Sequence, residues 1–126
     1  MPKASWHDVP HVPGLDRHSQ YEISRIELRT ARDWARYGFW PGAILEALTS
    51  WRAVARRPST RGTFLPCCCG RHPRALLEEA LDAVDTPTAR ALAKLIGEYD
   101  DEFRRRTIPD PRLAAALPWW DRRSPS

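Results

Sequence analysis

The cysteines of this chain, Cys67, Cys68 and Cys69, are consecutive, and His72 comes three residues later. The spacing Cys67-x-Cys69-x-x-His72 puts two thiolates and an imidazole within one short loop, with Gly70 able to take the left-handed backbone that folds a loop around an ion. That is most of a zinc site but not a whole one, because a structural zinc takes four ligands. The fourth would be Cys68, water, or a histidine of the first eighteen residues: His7, His11 or His18. His7 and His11 have helical ligand spacing but sit among prolines, and His11 stands as the candidate. The expected metal set is therefore Cys67, Cys69, His72 and His11, with zinc as the cofactor.

The same loop supports chemistry without a metal. Pro73 is suited to the first turn of a helix, which would set the loop at the positive end of a helix dipole beside Arg61, Arg71 and Arg74. Free amides and guanidinium groups there would stabilise an anion, either a phosphate or a thiolate of lowered pKa. A nucleophilic cysteine would find a base in His72 or in a histidine of the N-terminal arm, but no third, orienting group stands out.

Charge points to the same stretch. The formal net charge is +4, and 18 of the 20 basic residues are arginine. Between Glu46 and Glu78 there is no acidic residue, whereas Arg52, Arg56, Arg57, Arg61, Arg71 and Arg74 all fall there, so this stretch carries +6 and the rest of the chain −2. Arg56, Arg57, Arg61, Arg71 and Arg74 are the candidate anion contacts, and nucleic acid or an acidic protein surface the candidate partner. Trp51 and Phe64 offer stacking groups, although Trp51 also fits the apolar stripe of a helix. Arg104, Arg105 and Arg106 stand four residues after Asp100, Asp101 and Glu102 respectively and read as a self-neutralised helix face.

Helices must position these residues. An extended arm is expected over 1–18. Ser19 and Glu22 form a capping-box pair opening a first helix over about 20–37, with Ile23, Ile26, Trp34 and Tyr37 near one face and Gly38 as its stop. Pro41 then opens a second helix reaching about Arg57, with Ile44, Leu48, Trp51 and Ala55 as its buried stripe. Pro58 to His72 has no helical period, and a connection of that length is functional or disordered in most compact domains. A third helix starts at Pro73 with Leu76, Leu77, Ala80, Leu81 and Val84 inward. A fourth runs from Thr86 and Pro87 to near Thr107 on Leu92, Leu95, Ile96, Tyr99 and Phe103. Pro109, Pro111 and Pro118 interrupt the chain beyond this helix, leaving room for one turn over 113–117. Trp119 and Trp120 are expected to fold back and cap the core, the alternative being an open partner-binding patch, and 121–126 to form a polar tail.

No strand can be placed, and no internal repeat is visible. The expected fold is all-α: a small four-helix domain over 19–120, made of two helical hairpins with a long Cys-containing loop and irregular terminal arms.

Other classes are excluded by what the chain lacks. No run of 18 apolar residues marks a membrane span, and the first fifteen residues lack the apolar segment of a signal peptide, so a cytoplasmic protein without membrane contact is expected. Neighbouring cysteines are poorly placed to bridge one another, which agrees with a reducing compartment. Neither a Gly-rich phosphate loop nor a nucleophile elbow is present, and Asp100 and Asp101, adjacent on a helix, point apart.

Residues 61–77 (RGTFLPCCCGRHPRALL), with the later RRTIPDPR and PWW, resemble a group of small actinobacterial proteins of uncharacterised function. The likeness covers most of the chain from about residue 20, agrees with the preference for arginine over lysine, and implies no activity. The sequence thus predicts a non-enzymatic binding or regulatory protein with a zinc-pinned loop. The alternative is a small enzyme using a cysteine nucleophile or a metal-bound water at the same loop.

Overall fold

The computed structural model describes residues 9–30, 39–58 and 72–125. Among them are four α-helices: α1 (Arg17–Thr30), α2 (Ala43–Arg56), α3 (Pro73–Ala83) and α4 (Thr86–Arg105). Two short strands, β1 (Thr107–Pro109) and β2 (Arg123–Pro125), and a 3-10 turn over Trp119–Arg122 complete the elements. The fold is mostly helical, with a small antiparallel sheet that pairs Thr107 with Pro125, Ile108 with Ser124 and Pro109 with Arg123.

Three of the helix starts differ from the sequence expectation, each for a local reason. The cap of α1 is Asp16, whose Oδ1 accepts from the Ser19 amide at 2.8 Å, while Glu22 turns to Arg25 at 2.5 Å instead of closing a capping box. Both arrangements satisfy an orphan amide, and aspartate one turn earlier captures it first. Helix α2 begins after Gly42 and not at Pro41, because Gly42 takes φ +89° to turn the chain into the helix. Helix α4 is capped by Asp85, one residue before Thr86, whose Oδ1 accepts from the Thr88 amide at 3.0 Å. The expected continuation of the first helix through Trp34 and Tyr37 lies outside the described residues.

The core joins Ile23 and Ile26 of α1, the Ile44, Leu48, Trp51 and Ala55 stripe of α2, Leu76, Leu77 and Ala80 of α3, and Leu92, Ile96 and Phe103 of α4. Burying each large aliphatic side chain contributes about 1.5–3 kcal/mol before entropy is charged against it. Among the described residues, helix α2 rests mainly on α3 and α4, and α1 mainly on α4. The firm link between α1 and α2 is Glu27, fully buried on α1, whose Oε1 and Oε2 accept from the Gly42 and Ile44 amides at 2.8 and 2.9 Å. A carboxylate reaching from another helix thus caps α2.

Both termini dock. Val9 and Val12 of the expected arm are buried, the Val12 amide donates to Gln20 Oε1 at 2.7 Å, and Gly14 lies against Leu95. At the other end, residues 121–125 do not form a free polar tail. Arg123 donates to Thr107 Oγ1 at 2.8 Å and to the carbonyls of Thr107 and Arg104 at 2.9 and 3.2 Å, thereby satisfying groups at the C-terminal end of α4. Asp110 accepts from the Arg112 guanidinium at 2.9 and 3.0 Å and from Ser124 Oγ at 2.7 Å, and these bonds hold its carboxyl well below the usual carboxylate range. Residues 113–117 form turns and no helix.

Candidate functional site

His72 and Arg74 sit where α3 begins, and both are built into the protein. His72 Nδ1 accepts from the Arg74 amide at 3.1 Å, so the imidazole is the N-cap of α3. Its ring lies between two indoles, 5.8 Å from Trp51 and 5.9 Å from Trp120 by centroid. Burial pushes its pKa down, the nearby Asp121 carboxylate pulls it back up, and Arg74 adds to the depression. A neutral ring whose Nδ1 accepts a hydrogen bond carries its proton on Nε2, which faces Asp121 Oδ1 at 3.9 Å. Metal ligation at Nδ1 would displace the cap. Ligation at Nε2 would move the proton onto Nδ1 and set it against the Arg74 amide. In this geometry the Nδ1 of His72 is engaged as the cap of α3.

Arg74, expected on a partner-facing surface, is instead buried, and this corrects that expectation. Its Nε and Nη2 donate to Asp100 Oδ1 and Oδ2 at 3.0 and 3.1 Å, and its Nη1 to Glu78 at 2.5 Å. Burial opposes the charge, but the hydrogen bonds to Asp100 and Glu78 more than offset it and hold the guanidinium pKa above the ordinary value. Asp100 also accepts from Trp51 Nε1 at 2.9 Å. The guanidinium lies 5.0 Å from the Trp120 ring centroid, within cation–π range. Trp51 is wholly buried, so it is core and not a stacking group for a base. Sequence reasoning misses this cluster because periodicity relates Asp100 only to its helix neighbours. Its real partners lie 26 and 49 residues away, and no periodic pattern announces them.

Groups expected to meet an anion at the start of α3 are already engaged. Pro73 has no amide hydrogen, the Arg74 amide is taken by His72, and the Arg74 guanidinium is held by carboxylates. Of the remaining candidate ligands and contacts, His11 is exposed. Cys67, Cys69, Arg61 and Arg71 lie outside the described residues, as do Cys68 and Phe64. Among the described residues no group of three or more His, Cys, Asp or Glu side chains is arranged to hold a metal ion.

Arg56 and Arg57 behave differently from Arg74. With Arg52 they are exposed at the C-terminal end of α2, and none of the three has an acidic partner among the described residues. The Arg104–Arg106 run is paired, as its spacing predicts, in the expected four-residue register at Arg106 with Glu102 and at three-residue spacing for the other two. Arg104 meets Asp101 at 3.6 Å, Arg105 and Arg106 share Glu102, and Asp100 has turned inward. Arg25 and Arg112 are likewise tied to Glu22 and Asp110.

Compared with known proteins, the sequence matches no protein-family model, no curated protein and no solved structure. No helix among the described residues is long and apolar enough to cross a membrane.

Proposed function

We propose that this is a non-enzymatic binding or regulatory protein whose partner is a polyanion, nucleic acid or an acidic protein surface, met by the arginines that close α2. The observation that carries this reading is the contrast among arginines. Arg52, Arg56 and Arg57 stand together at one helix end, exposed and without an acidic partner among the described residues; Arg17, Arg29, Arg90 and Arg122 are exposed in the same way but scattered, while Arg25, Arg74, Arg104, Arg105, Arg106 and Arg112 are each neutralised by a carboxylate. An uncompensated cluster keeps its full long-range field, which a paired one forfeits. Arg61 and Arg71, in the segment after α2, belong to the same proposal by sequence.

A zinc ion on Cys67 and Cys69 remains compatible with this function, but the capping geometry favours ligands other than His72. The binding reading does not depend on the metal.

Heparin chromatography tests the proposal. The triple variant Arg52→Glu, Arg56→Glu, Arg57→Glu is expected to elute at clearly lower salt than the parent. Reversal of three other exposed cations, Arg17, Arg90 and Lys94, changes the net charge by the same amount and should change elution much less. Equal loss from both variants would mean that only net charge matters and would remove the assignment to α2.

A further inference from the structure

The exposed positions of α2 form a strip of one chemical character towards its C-terminal end: Thr49, Ser50, Arg52, Ala53 and Arg56, with Arg57 just beyond. Arg52 and Arg56 stand one turn apart, about 6 Å along the helix, so their side chains leave the same face as a row. Between and before them are hydroxyls and one methyl, small groups that let a ligand's backbone approach the helix closely. The acidic residue of α2, Glu46, is in its first turn and accepts from Trp40 Nε1 at 3.1 Å, away from the arginines.

We infer that this strip binds the phosphate backbone of a nucleic acid, without reading sequence. The inference rests on the polyanion reading above and narrows it. Phosphate contacts are made by arginine forks and by serine hydroxyls, and the strip offers both in Arg52, Arg56, Arg57 and Ser50; the Thr49 hydroxyl is engaged with the Leu45 carbonyl at 2.9 Å. A protein partner is held in most cases by a buried aromatic or aliphatic anchor ringed by polar groups. The large hydrophobic side chains that are well exposed among the described residues, Tyr21, Ile108, Leu113 and Leu117, all lie on other elements.

The polarity of the helix sharpens the case. The C-terminal end of a helix is the negative end of its dipole and repels an anion. Binding there must come from the side chains, so removing the guanidinium groups should weaken it by more than the change in net charge alone would.

The experiment is fluorescence anisotropy of the full chain with two short labelled duplexes of unrelated sequence and with a labelled poly-glutamate peptide, over a range of salt. The expected result is equal affinity for both duplexes, weaker binding of the peptide, and a steep fall with salt. The triple variant Arg52→Ala, Arg56→Ala, Arg57→Ala, shown by circular dichroism to keep its helicity, should bind duplex at least about tenfold more weakly. It should also lose about 0.9 from the logarithmic salt slope per phosphate contact removed. Duplex binding unchanged in that variant overturns the placement, and a marked preference between the duplexes overturns backbone recognition. Poly-glutamate bound as tightly as duplex, with the same arginine dependence, overturns the phosphate assignment while the polyanion reading stands. Failure to bind either ligand or heparin overturns both.

Discussion

At the scale of single residues, the side chains at the start of α3 serve stability first. Asp100 receives three hydrogen bonds, from Trp51 and twice from Arg74, and both members of the ion pair are nearly excluded from water. Removing one partner of such a pair leaves a buried charge uncompensated. Asp100→Ala is therefore expected to cost about 3–5 kcal/mol in urea unfolding, and a loss below about 1 kcal/mol would show the pair to be dispensable. His72 can be dissected with two substitutions. Asparagine is a good N-cap, so His72→Asn should retain most of the capping energy, whereas His72→Ala should lose about 0.5–2 kcal/mol for the cap alone. If zinc is present in the purified protein, His72→Asn should leave its stoichiometry unchanged when measured by elemental analysis. Loss of the metal in that variant would make His72 a ligand after all. Sequence spacing singles out His72, but for metal chemistry. Its role turns on which atom its Nδ1 meets, and spacing does not encode that.

At the scale of elements, the informative join is Glu27 with the N-terminus of α2. Burial pushes this carboxyl up to about 7, against the pull of the Ile44 and Gly42 amides. An acid whose folded pKa is raised binds more protons folded than unfolded. Its favourable contribution is full below the unfolded value of 4.5 and is lost as pH rises through about 7. Stability of the parent should therefore decline over that window by an amount on the order of 3 kcal/mol, and Glu27→Gln should flatten that part of the profile. Identical pH profiles for the two proteins would refute the assignment. The helices themselves are legible in the sequence because apolar residues at three- and four-residue spacing, with Pro73, Pro58 and Pro87 at the ends, state their own period. Their caps are less so. Asp16, Gly42 and Asp85 each displace a neighbouring candidate, since adjacent Ser, Thr, Asp and Pro residues compete for one helix start and only the path of the chain chooses between them.

At the scale of the whole molecule, the C-terminal segment is part of the body. Trp120 is buried against the core, Trp119 packs beside Phe103, and β2 returns to β1. Truncation after Pro118 removes all three, so it should lower the urea midpoint sharply or abolish cooperative unfolding, with large-to-small loss at Trp120 alone worth about 3–5 kcal/mol. A truncated chain as stable as the parent would show that the segment is an accessory. Linear patterning is enough to set the helical content, the stripes that face inward, the concentration of positive charge over 47–77 and the paired character of the Arg104–Arg106 run. These depend on neighbours within a turn or two, or on composition alone. Folding in three dimensions is needed to bury Arg74 against Asp100 while Arg52, Arg56 and Arg57 stay in solvent, to make Trp51 core, to bring Glu27 onto a helix start of another element, and to return the final residues as a strand. Whether a charge is free or neutralised depends on which distant group the fold brings within about 3 Å of it, and a linear pattern carries no term for that distance.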